Sequence, residues 1–288
     1  MSLLHDIDAV RPATLAEALE LLAKEGAALR PMAGCTDVLV EAHFGKPMAA
    51  RFLDLTGLRA ELGGLAFDDE GLHLGALCTY AQALRDPRVQ REAPALWHAA
   101  SVVGATQIQA RGTFAGNVEN ASPAADAAPV LMALDAQVEL VSTAGLRRVP
   151  LCEYYTGYRQ TVRHADELIA ALVVPRASLG RPGQWYRKVG TRAYQAITKV
   201  GLAAHLTWQH GVVAEPRIVA VAMAATLKRC PHLEAAVRGR RLADLDDAVL
   251  RQAQALDLQP IDDVRSTAEY RAEVFARLLR QALQATAA

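Results

Sequence analysis

The chain has 288 residues, 52% of them apolar and 22% charged, which is enough for a large core and for two domains in a globular protein. Its 31 basic residues balance its 31 acidic residues and form no basic block, so no nucleic-acid partner is expected. Neither a membrane span of about 20 apolar residues nor a secretory signal is predicted. The four cysteines are scattered and form no Cys-x-x-Cys pair, which argues against a metal or iron–sulfur site in this chain. Such cysteines indicate a reduced, cytoplasmic protein.

The first part of the chain predicts a small βαβαβ unit of roughly 55 residues. Strands are expected at residues 6–10, 29–33 and 51–55. The first helix is predicted from a capping box formed by Thr14 and Glu17, and Gly26 is suited to end it. A second helix is expected at residues 36–43.

The next part predicts a strand at residues 72–77, a short helix capped by Thr79 and a longer helix at residues 89–103. Residues 105–120 are rich in Gly, Ala, Thr and Asn and predict a long loop of small residues. A helix is then expected to start at Ser122 and Pro123 and to reach Leu134. A hairpin at residues 137–150 and a strand at residues 167–174 complete this part.

The composition of residues 177–183, with Ser, Pro and two Gly, is typical of a linker. Beyond it, strand-like apolar runs lie at residues 185–188, 196–208 and 217–226. Helices are predicted at residues 230–238, 245–256 and 266–285.

Two segments carry residues suited to holding a ligand. In the first, residues 31–37, a strand–loop–helix turn offers free backbone N–H groups to a phosphate, and Gly34 allows close approach; the alternative is an ordinary turn capped by Thr36. In the second, residues 111–126, small residues permit close approach by a flat or charged ligand, Thr113 and Asn117 offer hydrogen bonds, and Asp126 could accept a hydroxyl. The alternative is that the glycines serve packing and Asp126 complements a helix dipole.

The motifs of several other sites are absent from the sequence. It contains no Gly-x-Gly-x-x-Gly fingerprint, no P-loop, no Gly-x-Ser-x-Gly elbow and no His-Glu-x-x-His pair. No catalytic residue and no metal ligand are therefore expected.

Five segments in order resemble the FAD-binding (medium) subunits of the molybdopterin hydroxylase family, of the xanthine dehydrogenase and carbon monoxide dehydrogenase type. Residues 33–37 are similar to the family's Ala-Gly-Gly-Thr-Asp loop, and residues 111–117 to its Arg-x-Thr-Ile-Gly-Gly-Asn loop. The match continues through residues 120–126, through Tyr186-Arg187-Lys188 with Ala196, and through residues 266–271, which resemble a Ser-Ala-x-Tyr-Arg helix start. The resemblance covers nearly the whole chain.

The resemblance implies an α+β fold. Residues 1–176 would form a two-subdomain FAD-binding domain of the vanillyl-alcohol-oxidase/PCMH-like type, with subdomains at about 1–57 and 58–176. Residues 177–288 would form an α+β C-terminal domain with a small antiparallel sheet and helices.

The resemblance also implies which residues contact FAD. Residues 31–38 would wrap the pyrophosphate, residues 113–117 would form a second wall, and Asp126 would hold the ribityl chain. Val103 and Gly104 would lie beside the cofactor, Ile169 would touch the isoalloxazine ring, and Lys188 would approach the flavin and stabilise negative charge on it, unless it lies on a solvated strand edge. The complete set is Pro31, Met32, Ala33, Gly34, Cys35, Thr36, Asp37, Val38, Val103, Gly104, Thr113, Phe114, Ala115, Gly116, Asn117, Asp126, Ile169 and Lys188.

The sequence departs from the family pattern at two positions. Cys35 and Ala115 each stand where a Gly is common. Both residues are small, so backbone approach is retained, and Cys35 would be strained only if its φ is positive.

The expected function is electron transfer from a [2Fe–2S] partner to FAD and on to NAD or another acceptor, while a molybdopterin-binding partner hydroxylates the substrate. Residues 157–161 resemble the Gly-Tyr-Arg-x-Thr segment of xanthine dehydrogenase-type members, which favours a purine substrate and NAD. The alternatives are the same subunit in an aldehyde, carbon monoxide or N-heterocycle dehydrogenase, a stand-alone flavin oxidoreductase, or a non-enzymatic scaffold, which the two intact loops disfavour.

Overall fold

A computed structural model of the chain describes residues 8–45, 49, 51–193 and 195–287. The strands are β1 (Asp8–Val10), β2 (Leu29–Met32), β3 (Arg51–Asp54), β4 (Leu65–Phe67), β5 (Gly71–Gly75), β6 (Gln137–Ser142), β7 (Gly145–Pro150), β8 (Tyr155–Gly157), β9 (Gln160–Thr161), β10 (Leu168–Pro175), β11 (Gln184–Val189), β12 (Val200–Gln209), β13 (Val212–Val221) and β14 (Lys228–Arg229).

The α-helices alternate with the first three strands, run consecutively between β5 and β6, and close the chain after β14. They are α1 (Leu15–Glu25), α2 (Val38–His43), α3 (Arg59–Leu62), α4 (Tyr80–Arg85), α5 (Pro87–Glu92), α6 (Pro94–Ser101), α7 (Thr106–Arg111), α8 (Phe114–Glu119), α9 (Ala127–Ala133), α10 (Leu151–Tyr154), α11 (Pro231–Val237), α12 (Asp247–Asp257) and α13 (Ala268–Thr286).

The first layer is a three-stranded parallel sheet in the order β1-β3-β2, which confirms the predicted βαβαβ unit. Helix α1 begins where predicted, because the Thr14 hydroxyl accepts a hydrogen bond from the Glu17 amide at 3.2 Å. Asp6 and Ile7 of the first predicted strand lie outside the described residues.

The second layer is a five-stranded antiparallel sheet in the order β4-β5-β10-β6-β7, with helices α4 to α9 packed near it. The predicted hairpin and the strand before the linker are confirmed as β6, β7 and β10. The helix predicted at residues 89–103 is divided into α5 and α6, because Pro94 has no N–H to continue it and instead opens α6.

Two further predictions for this layer are wrong. Residues 105–120 are not one long loop: they form α7 and α8, and the Thr113 side chain caps the second of these. The helix predicted from Ser122 begins only at Ala127. A helix starting at Pro123 would place Pro129 in its interior, where the proline ring clashes with a carbonyl one turn earlier, so the helix starts late enough to hold Pro129 in its first turn.

The C-terminal part contains a four-stranded antiparallel sheet in the order β11-β12-β13-β14, followed by α11, α12 and α13. The predicted small antiparallel sheet with helices is confirmed. The long strands β12 and β13 pair along nearly their whole length. One face of this sheet packs with the C-terminal helices in a second hydrophobic core, whereas Ala203, Val219 and Val221 of the same strands belong to the core of the first two layers.

Helix α9 lies between helices of the second layer and the C-terminal sheet, and all seven of its residues are buried. It contacts β12 and β13 of the C-terminal sheet and α6 and α8 on the other side. Just beyond its end, Asp135 pairs with Arg217 at 2.5 Å and Arg229 at 3.1 Å, both from the C-terminal sheet. Before the helix, the Pro123 carbonyl accepts the Ala222 amide at 2.8 Å, so the C-terminal sheet is bonded to the chain on both sides of α9.

Among the described residues, no helix combines the length and apolar character that crossing a bilayer requires.

Shortening a side chain of α9 tests the role of this helix. We expect Leu131→Ala to lower the free energy of unfolding by about 2–5 kcal/mol, because the fully buried side chain leaves a cavity. Leu146→Ala on β7 removes the same atoms from an exposed position and should change stability by less than about 0.5 kcal/mol. Thermal and urea unfolding of both variants measure the difference, and equal effects would contradict the placement of α9.

Candidate functional site

The first predicted loop runs from the end of β2 to the start of α2. Within the described residues, no hydrogen bond uses the backbone N–H groups of residues 34–37. The residues around them are half-buried, apart from the exposed Asp37. Four neighbouring amide donors without acceptors are the kind of backbone surface that holds an anion.

Gly34 brings this loop into direct contact with the second predicted segment. A Cβ atom at Gly34 would lie 1.9 Å from the Arg111 carbonyl oxygen, so no other residue fits without moving the backbone. The Arg111 Nε group also donates to the Gly34 carbonyl at 3.2 Å. Two loops separated by more than seventy residues in sequence therefore touch through their backbones.

Cys35 has a φ of 60°, in the left-handed region that favours glycine. Its Sγ atom lies 3.5 Å from the Met32 Sδ atom and 3.6 Å from the Ala33 carbonyl oxygen. Burial raises the pKa of the thiol, and the nearby Arg111 charge opposes that rise. The condition under which Cys35 was expected to be strained is therefore met.

The second segment, residues 113–117, is the start of α8. The Thr113 hydroxyl accepts the Gly116 amide at 2.9 Å, and the Asn117 side-chain oxygen accepts the Ala128 amide at 3.1 Å. The side chains of Phe114 and Ala115 are buried in the core, whereas Gly116 is exposed. Of residues 113–117, chiefly the backbone around Gly116 is therefore accessible to a ligand.

Asp126 and Lys188 form a largely buried ion pair between the first part of the chain and the C-terminal sheet. The Lys188 Nζ atom lies 2.8 Å from Asp126 Oδ2, and the two side chains are 8% and 14% exposed. Tyr186 and Thr198 donate to Asp126 Oδ1 at 2.8 and 3.2 Å. Three side chains of the C-terminal part therefore converge on one carboxylate of the first part.

The predicted residues Val103 and Gly104 lie beside this pair. Lys188 also donates to the Val102 carbonyl at 3.1 Å, and the Gln109 side chain donates to the Val103 carbonyl at 3.1 Å. Gly104 has a φ of 50°, and a Cβ there would lie 2.7 Å from the Ile108 side chain. The structure thus brings Val103, Gly104, Asp126 and Lys188 into one group.

Ile169 occupies a different position. It is buried on β10, opposite Leu140 of β6, immediately before a bulge in the strand pairing. The bulge leaves the Ala170 carbonyl to accept the Ala76 amide at 2.9 Å, so this edge of the sheet is locally irregular.

Tyr80 links the two groups of predicted residues, and sequence reasoning did not identify it. Its fully buried ring packs edge-on against Phe114 at 4.7 Å, and a Cβ at Gly112 would lie 3.1 Å from it. Burial raises the pKa of the Tyr80 hydroxyl, and the charges of Asp126 and Asp37 raise it further. Tyr80 is therefore near one carboxylate of each group, and the capping motif before it gave no sign of this position.

The segment that resembles xanthine dehydrogenase-type members lies at the rim of the first loop. Arg159 donates to the Asn120 side-chain oxygen at 2.6 Å and lies 3.4 Å from a carboxylate oxygen of Glu41. Asn120 follows α8 and Glu41 is on α2, so Arg159 connects the two helices that carry the predicted loops.

Comparison with protein families gives two matches that together span most of the chain. Residues 5–177 match the family described as FAD binding domain in molybdopterin dehydrogenase. Residues 184–286 match the CO dehydrogenase flavoprotein C-terminal domain.

Curated relatives reach 30% identity over most of the chain. One is the xanthine dehydrogenase FAD-binding subunit of Escherichia coli O157:H7, similar over 95% of this chain and 93% of that protein. Another is the nicotinate dehydrogenase FAD-subunit of Eubacterium barkeri, similar over 69% of this chain and 68% of that protein.

Solved structures share the fold. The carbon monoxide dehydrogenase from Hydrogenophaga pseudoflava that lacks the Mo-pyranopterin moiety contains a chain that superimposes with a TM-score of 0.90 at 23% identity, covering 97% of this chain and 96% of that one. In the reconstituted CO dehydrogenase from Oligotropha carboxidovorans the TM-score is 0.88 at 25% identity, covering 98% and 97%. The former likeness establishes the fold alone.

Replacing Cys35 tests the backbone strain in the first loop. A non-glycine residue in the left-handed region costs about 1–2 kcal/mol, and the extra freedom of glycine in the unfolded chain offsets about 0.5–1 kcal/mol of the gain. We therefore expect Cys35→Gly to be more stable than Cys35→Ala, which loses the thiol but keeps the Cβ. Equal thermal unfolding midpoints for the two variants would refute the strain.

A double-mutant cycle tests the buried ion pair. Asp126→Asn should lower the free energy of unfolding by about 3–5 kcal/mol, because it leaves the buried Lys188 ammonium without its counter-charge. Adding Lys188→Met removes the orphaned charge, so the double variant should be less destabilised than Asp126→Asn alone. Strictly additive losses, measured by urea unfolding, would show that the pair is not coupled.

Proposed function

The chain belongs to the family of FAD-binding subunits of molybdopterin dehydrogenases, which are oxidoreductases, and we propose that it transfers electrons within such a complex, from a [2Fe–2S] partner chain to FAD and on to NAD. The hydroxylated substrate would bind a molybdopterin-containing partner. The complex would work in the cytoplasm, in keeping with four free cysteines in this chain.

The contact between Gly34 and Arg111 carries the assignment of the cofactor site. A glycine that no other residue can replace, next to four amide donors without acceptors, is a backbone surface suited to a phosphate-bearing cofactor. We assign residues 31–38 and 113–117 to the phosphate side of FAD. Val103, Gly104, Asp126, Ile169 and Lys188 are assigned to its flavin side.

We also propose the division of the chain into an FAD-binding domain, residues 1–176, and a C-terminal domain, residues 177–288. The second hydrophobic core, whose buried residues all lie beyond the boundary, supports this division. The α9 helix and the Asp126–Lys188 pair would then hold the second domain against the flavin side of the first.

FAD, when bound, supplies the hydride and single-electron chemistry. The chain itself supplies a fixed cation: the Lys188 ammonium is held by Asp126 and by the Val102 and Ala196 carbonyls, so it cannot move away when charge changes nearby. Tyr186 and Thr198 hold the Asp126 carboxylate in turn. The Asp126 carboxylate already accepts three hydrogen bonds, so the predicted hydrogen bond from the ribityl chain would be a fourth.

A purine is the favoured substrate of the complex. The xanthine dehydrogenase relative is similar over 95% of this chain, against 69% for the nicotinate dehydrogenase relative at the same identity. The segment with Arg159, which resembles xanthine dehydrogenase-type members, lies at the rim of the proposed cofactor site. An aldehyde, carbon monoxide or N-heterocycle substrate is the alternative.

Two assays on one sample of the isolated chain test the proposed function. Loaded with FAD, the chain should reduce an artificial dye with NADH and should not hydroxylate xanthine, since that reaction needs the partner with molybdenum. Acid precipitation should release FAD unchanged. A chain that takes up no FAD would refute the assignment of the site, and xanthine turnover by this chain alone would refute the role as a subunit. Bound FAD that dithionite reduces but NADH does not would replace NAD by another acceptor.

A further inference from the structure

A small cavity separates the first loop from the turn before α8. It has a volume of about 10 Å³, room for a single water, and Gly34, Thr56, Arg59, Arg111 and Thr113 are among its lining residues. None of its lining residues is acidic. Two guanidinium groups therefore border the loop whose amides lack acceptors.

Both guanidinium groups are free to bind a ligand. Arg59 and Arg111 are exposed, and in the described part of the chain no carboxylate lies within ion-pair distance of either. Other arginines near the first sheet are paired, Arg11 with Asp54 at 3.0 Å and Arg30 with Glu41 at 2.9 Å. Arg111 uses only its Nε group, toward the Gly34 carbonyl, which leaves its two Nη groups available.

Neutral amide donors alone leave the charge of a bound diphosphate uncompensated. A guanidinium binds phosphate oxygens through two parallel hydrogen bonds and adds a full positive charge. Arg59 and Arg111 come from different helices, α3 and α7, so together they can reach the ligand from two sides.

We propose that Arg59 and Arg111 bind the diphosphate of FAD and make this chain select FAD over riboflavin. The inference rests on the proposed function and assigns roles to two residues outside the predicted site. The amides of residues 34–37 would donate hydrogen bonds to the diphosphate, and the two arginines would neutralise its negative charge.

Binding measurements on the flavin-free chain test this proposal. FAD and riboflavin are titrated against the native chain, Arg59→Gln and Arg111→Gln, with flavin fluorescence as the readout and thermal unfolding as a check of the fold. We expect each substitution to weaken FAD binding by about 10- to 100-fold and to leave riboflavin binding unchanged. Rising KCl should weaken FAD binding to the native chain more than to a variant that carries both Arg59→Gln and Arg111→Gln. Arg111→Lys should recover part of the loss.

Arg240→Gln is the matched control. Arg240 is also exposed and is on the far side of the linker, in the C-terminal part, so its loss should not alter FAD affinity. Native FAD affinity in both Gln variants would overturn the proposal while FAD binding by the native chain stands. Equal losses of FAD and riboflavin in variants with a native unfolding temperature would also overturn it, because riboflavin has no diphosphate for the arginines to bind. If the native chain binds neither flavin, the proposed function fails as well.

Discussion

Helix α9 is the constraint on which the rest of the structure depends. It is apolar throughout and buried on all sides, so it needs an apolar surface on each face: α6 and α8 provide one, and strands β12 and β13 of the C-terminal sheet provide the other. Carboxylates stand at both of its ends. Asp126 is held by Lys188, and Asp135, which has a φ of 55°, is held by Arg217 and Arg229. Basic side chains of the C-terminal sheet thus form ion pairs at both ends of a helix that belongs to the first part of the chain.

This arrangement determines how the site is assembled. The pair at the start of α9 lies beside Val102 and Gly104, on the proposed flavin side. From there Tyr80 packs against Phe114 and over Gly112, one residue from the Arg111 carbonyl that Gly34 approaches. The proposed phosphate side is therefore joined to the Asp126–Lys188 pair by a short series of close packing contacts. A displacement of the C-terminal sheet would therefore move residues on both the flavin side and the phosphate side of the proposed site.

The sequence predicted the parts of the fold that depend on local chemistry. The βαβαβ unit, the β6–β7 hairpin and the C-terminal helices followed from caps, turns and hydrophobic periodicity. The errors arose where proline decides between alternatives: Pro94 divides a predicted helix, and Pro129 delays another. Small residues at 105–120 indicated a loop, yet alanine also favours helix, and the Thr113 side chain caps the second of the two helices formed there.

The candidate site was predictable as a set of motifs but not as an arrangement. Motifs identified Gly34 and Lys188, but no pattern along the chain indicates that Gly34 would touch Arg111 or that Lys188 would pair with Asp126. Tyr80 and Thr198 carry no motif, because their roles come from tertiary contacts. The strain at Cys35 needed the observed φ, since the residue type alone leaves the backbone conformation open.

Hydrogen–deuterium exchange of the chain with and without FAD tests the central claim most directly, namely that two backbone loops joined at Gly34 hold the cofactor. The account predicts that FAD slows exchange at the amides of residues 34–37 and 113–117, while the already buried α9 changes little. Protection confined to the C-terminal helices, with the two loops unchanged, would contradict it.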